Sequence, residues 1–140
     1  MTRNREEIYV QPKPPVLQNL RILIVDDLAV IRDMLAEQLS MAGMICDCAS
    51  GGHQALQKLV DAKADDVSYD LILIDYLMPG MNGEMLARAI SDEPAFRNIC
   101  LIMLTAAGNP IMGDDFADKG FSAYISKPVK AQRLIETLAI

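Results

Sequence analysis

The sequence predicts an α/β fold: a doubly wound parallel sheet of five strands flanked by five helices. Two observations predict it. From Leu20 onward, short apolar runs alternate with segments of helical period, and each right-handed crossover between parallel strands lays a helix on one face of the sheet. The runs Ile22 to Val25 and Leu71 to Ile74 are also apolar at consecutive positions, as strands covered on both faces must be.

Residues 1–19 mix charges with Pro12, Pro14 and Pro15 and have no sustained periodicity, so they read as a flexible tail or linker ahead of one domain over 20–140. A strand over 21–25 opens the domain. A helix follows over about 28–42, where Ile31, Leu35 and Leu39 recur at i+4 beside Met34 and Gly43 marks the end. A strand over 44–49 leads to a helix over about 52–63, with Ser50, Gly51 and Gly52 at its start and Ala55, Leu56 and Leu59 facing inward. The third strand spans 70–74 and the third helix about 83–91. A strand over 99–104, a helix over about 111–119, a strand over 122–126 and a helix over about 130–139 complete the alternation.

A chain of 140 residues is one domain's worth, and no apolar run approaches the roughly 20 residues of a membrane span. A net charge of −6 with thirteen dispersed Lys and Arg argues against a nucleic-acid surface, which needs clustered cations. Cys46, Cys48 and Cys100 form no CxxC pair and cannot all pair with one another, which favours a reduced, cytoplasmic setting and buried core thiols. His53 lacks companion ligands and reads as a surface or capping residue.

In a sheet of this kind, loops at the C-terminal edge converge to bind ligands. The loops after the first, third, fourth and fifth strands carry Asp26 and Asp27, Asp75, Thr105, and Lys127 with Pro128. Taken singly, each has a structural explanation as a helix cap, a turn residue, strand-end filler or a solvated charge. Together they make an acidic cluster suited to Mg2+, which takes hard oxygen ligands and leaves room for a phosphate. A carboxylate beside that ion can attack phosphorus and form an aspartyl phosphate. Lys127 and Thr105 would then supply a cation and a hydroxyl to the phosphoryl oxygens. Gly83, after Asn82, opens the next helix without crowding the site.

The segments Val25-Asp26-Asp27, Ile74 through Gly83, Leu104-Thr105-Ala106 and Tyr124 through Pro128 resemble, in order and spacing, the receiver domains of two-component response regulators. The resemblance implies a flavodoxin-like sheet of order 2-1-3-4-5. It implies Asp75 as phosphoacceptor and Asp26, Asp27, Asp75 and the Leu77 backbone carbonyl as Mg2+ ligands. It further implies Thr105 and Lys127 around the phosphoryl group, a cis Lys127-Pro128 bond, and Thr105 with Tyr124 as a switch reshaping the face of the fourth helix, fifth strand and fifth helix. The implied partner is a histidine kinase or histidine phosphotransfer domain, with no nucleic acid, no direct membrane contact, and a monomer or weak phosphorylation-dependent dimer.

The stretch Pro12 to Arg21 is similar to connectors that precede receivers in hybrid sensor histidine kinases, so an excised hybrid-kinase receiver is the expectation. A stand-alone regulator is the alternative. A phosphoester hydrolase with the same nucleophile would need a second carboxylate two residues after Asp75, where Leu77 stands. A receiver acting only as a constitutive binding surface would not require the full set of acceptor-site residues present.

Overall fold

The computed structural model describes residues 19–76, 78–105, 121 and 123–126. Five strands, β1 (Arg21–Val25), β2 (Ile45–Ala49), β3 (Leu71–Asp75), β4 (Cys100–Thr105) and β5 (Ala123–Ser126), form one sheet in the order β2-β1-β3-β4-β5. Every neighbouring pair is parallel. Three helices are described: α1 (Ala29–Met41), α2 (Gly52–Ala64) and α3 (Gly83–Ser91). The predicted tail over 1–19, except Asn19, and the helices expected over 111–119 and 130–139 lie outside the described residues. A 3₁₀ turn at Pro94–Phe96, not foreseen from the sequence, precedes β4. Among the described residues no helix is long and apolar enough to cross a membrane.

The apolar runs divide by parity between the faces of the sheet, as the period of two requires. Leu23, Val25, Ile72, Ile74, Leu101 and Met103 pack with Ala55, Leu59, Leu86, Ala87 and Ile90 of α2 and α3. Ile22, Ile24, Leu71, Leu73, Ile102 and Leu104 pack with Leu35 and Leu39 of α1. Ile31 and Met34 are partly buried against the same core, so the predicted stripe of α1 is the face that docks. Both central strands are covered on two sides, which is why their sequences show no polar alternation.

The strand β2 is an edge strand, and this corrects one expectation. Cys46, Cys48 and, at the start of β4, Cys100 are only partly buried and lean on the α1-side core rather than lying within it. Burial still pushes the Cys46 and Cys48 thiols above their ordinary range, because the thiolate would be poorly solvated.

Helix ends follow local chemistry. At the end of α1, Gly43 takes φ 99°, its N–H donates to Ser40 O (3.0 Å) and Met44 N–H donates to Leu39 O (3.2 Å), the paired bonds of a Schellman motif. The same motif ends α2, with Asp66 N–H donating to Lys63 O (3.1 Å) and Val67 N–H to Ala62 O (2.7 Å). There the left-handed position holds Asp66 at φ 61°, which a side chain tolerates at a cost.

Candidate functional site

The strand ends β1 and β3 are neighbours, with Val25 opposite Ile74, so residues just past them share one stretch of the C-terminal edge. Asp26 is 0% exposed and Asp75 5% exposed, while Asp27 faces solvent. One carboxylate oxygen from each of the three lies within 4.8 Å of the others. Two buried carboxylates no farther apart than that repel by at least about 3.5 kcal/mol at an effective dielectric near 20. Three hard oxygen donors from two adjacent strands form a set that fits Mg2+, which binds through a few carboxylates and keeps other positions for water or phosphate.

The fold holds each member differently. Asp26 N–H donates to Ala49 O at 3.2 Å, extending the β1–β2 ladder by one residue. Its Oδ1 accepts from Leu28 N–H at 3.0 Å and its main-chain carbonyl accepts from Arg32 Nη1 at 2.7 Å. Capping of α1 by Asp26 or Asp27, one structural explanation offered by the sequence, is not what occurs: the N-cap is Leu28 and no side chain caps the helix. Asp75 is the last residue of β3, opposite Leu104, rather than the first residue beyond a strand ending at 74. The difference matters because ladder pairing on β4 fixes its backbone.

Thr105 likewise closes β4, opposite Ser126, and is 1% exposed, so its hydroxyl sits one residue past the partner of Asp75. Tyr124 lies in β5 opposite Met103. Leu77, Lys127 and Pro128 lie outside the described residues.

The chain beyond Asp75 turns through Gly80 at φ 77° and enters α3, whose N-cap Asn82 accepts from Met85 N–H at 2.8 Å. Gly83 N–H donates to Tyr76 O at 2.9 Å. A Cβ at Gly83 would stand 2.6 Å from Asp75 O and 2.9 Å from Tyr76 Cα, so this helix can approach the end of β3 only with glycine there. Met81 in the same loop rests over Gly52 at the start of α2, where a Cβ would come within 2.9 Å of its side chain.

Sequence reasoning gave Arg32 no role. The available signal was its position on α1 six residues after Asp26, since helical side chains lean toward the N-terminus and can reach the preceding loop.

Comparison with known proteins shows which family the chain resembles. The family model described as a response regulator receiver domain matches residues 22–139. The chain is 42% identical over 120 residues to the phosphate regulon transcriptional regulatory protein PhoB of Pseudomonas aeruginosa, covering 84% of this chain and 49% of that protein. It is 33% identical over 125 residues to the sensory/regulatory protein RpfC of Xanthomonas campestris, covering 88% of this chain and 16% of that one. Among solved structures, the chemotaxis protein CheY4 of Vibrio cholerae superposes with a TM-score of 0.74 at 29% identity, covering 86% of this chain and 96% of that one. The chain thus spans about half of the first relative and a small fraction of the second.

Proposed function

We propose that this chain, which belongs to the response regulator receiver domain family, accepts a phosphoryl group from phosphohistidine onto Asp75 in a two-component phosphorelay. The observation that carries the reading is the convergence of the Asp26, Asp27 and Asp75 carboxylates within 4.8 Å. These three, with the Leu77 carbonyl, would hold Mg2+. When bound, the ion supplies positive charge that offsets the acidic trio and the incoming phosphoryl oxygens.

An Asp75 carboxylate oxygen attacks phosphorus in line while the bond from phosphorus to the histidine nitrogen breaks, and the imidazole leaves with the electron pair and takes up a proton. Thr105 donates its hydroxyl hydrogen bond, and Lys127 its ammonium, to the transferred oxygens. Attack by water on the same phosphorus later releases inorganic phosphate and restores the carboxylate, a slow self-dephosphorylation. With Asp75 modified, Thr105 moves toward the phosphoryl group and Tyr124 rotates inward, changing the face around β5 that a partner reads.

The donor is a histidine kinase or a histidine phosphotransfer domain, and the domain works in the cytoplasm as a monomer or a weak phosphorylation-dependent dimer. Its origin in a hybrid sensor kinase is supported by the Pro12 to Arg21 connector and the similarity to RpfC. A stand-alone regulator is the second reading, supported by the near-complete coverage of CheY4. Incubation with Mg2+ and a small phosphodonor should add one phosphate to the native chain and none to Asp75→Asn by intact mass. Equal labelling of both would overturn the assignment of Asp75.

A further inference from the structure

We propose that Arg32 is a positioning residue for the acidic site, fixing the main chain of Asp26 so that its carboxylate meets those of Asp27 and Asp75 around a divalent cation; the inference rests on the Mg2+ reading above. The hydrogen bonds that hold Asp26 include N–H to Ala49 O, Oδ1 from Leu28 N–H, and O from Arg32 Nη1 at 2.7 Å. The first two are local consequences of strand and turn. The third joins the loop to the body of α1, because Arg32 N–H is itself tied to Leu28 O at 3.1 Å and its backbone carbonyl faces Cys48 Sγ of β2 at 4.0 Å. The donor is charged and short, the stronger class of hydrogen bond, and half-buried.

Two effects of Arg32 on cation binding oppose each other, and their difference in sign makes the role measurable. As a positive charge beside the acidic trio, Arg32 alone would repel Mg2+, so its removal would tighten binding. As a brace on Asp26, its removal lets the carboxylate drift and loosens binding. The geometry favours the brace: the guanidinium reaches the carbonyl of Asp26, whereas the three carboxylate oxygens already converge on one another. Partners that orient metal ligands from behind typically change affinity by about 10- to 100-fold when removed.

The test compares native protein with Arg32→Met and Arg32→Lys on the full chain, by Mg2+ titration calorimetry and by amide exchange at Leu28 in metal-free protein. Arg32→Met should weaken Mg2+ by on the order of tenfold and speed exchange at Leu28, and Arg32→Lys, which keeps a charged donor, should recover part of both. Unchanged or tighter Mg2+ binding by Arg32→Met overturns the proposal, as does a loss of unfolding stability with Mg2+ affinity intact. Should Arg32→Met not fold, Arg32→Lys decides alone: native Mg2+ affinity overturns the proposal and a severalfold weakening supports it. A native chain that takes up no Mg2+ would overturn the metal reading beneath, a result separable from every comparison of variants.

Discussion

Replacing Gly83 by alanine inserts one methyl group between α3 and the end of β3. The new Cβ would lie 2.6 Å from Asp75 O and 2.9 Å from Tyr76 Cα, about 1 Å inside the optimal separation of nonbonded carbon atoms. Both obstacles are backbone, so relief must come from moving α3 away or displacing the strand end that carries Asp75. Overpacking of this kind costs about 1–3 kcal/mol, and the better helix propensity of alanine returns up to about 1 kcal/mol. The net loss of about 1–2 kcal/mol should lower Tm by roughly 3–8 °C in a domain of this size. A displacement near 1 Å at the nucleophile would slow phosphodonor labelling by up to about 100-fold. Urea unfolding and timed labelling with Mg2+ measure the two effects. The control is Gly51→Ala, whose Cβ would meet nothing within 4 Å at φ −176°; it should label at the native rate. If Gly83→Ala matched the native chain in stability and labelling, the argument that only glycine fits there would be wrong.

Two further predictions concern the scaffold. Asp66→Gly places a residue without a Cβ at φ 61° in the α2 terminus and should stabilise by about 0.5–1 kcal/mol in urea unfolding; destabilisation would show that the Asp66 side chain contributes more than its backbone strain costs. Burial, and then the hydrogen bond from Tyr69 Oη to Asp47 Oδ2 at 2.6 Å, hold the Tyr69 phenol well above its ordinary pKa, so the fold favours the neutral form. That contribution is intact below about pH 10, where the unfolded chain's tyrosine is also neutral, and shrinks as pH rises further. Tyr69→Phe should therefore lose stability at pH 8 but show a flatter alkaline decline than the native chain; parallel declines would count against the coupling.

How much of this could be seen in the residues alone varies with the length scale of the interaction. The strands were recognisable because β1 and β3 are covered on both faces, and a double covering leaves an unbroken apolar run. The acidic residues stood out because they interrupt those runs at the ends where the chain must turn. Boundaries slipped by a residue at Asp75 and Thr105, since a polar side chain reads as loop even where its backbone remains in the ladder. Cys46 and Cys48 lie shallower than composition suggests because composition alone does not say that β2 is the edge strand, and Cys100 does so because it stands at the first position of β4.

The sequence by itself determined the alternation of elements, the two apolar faces and the types of residue at the strand ends, since these depend on period and on contacts within a few positions. Only the tertiary structure decided that Arg32 grips the carbonyl of Asp26, that Gly83 is pressed against Asp75, and that Tyr69 meets Asp47. Those contacts depend on crossover geometry and helix approach to within an ångström, distances that hydrophobic patterning does not encode.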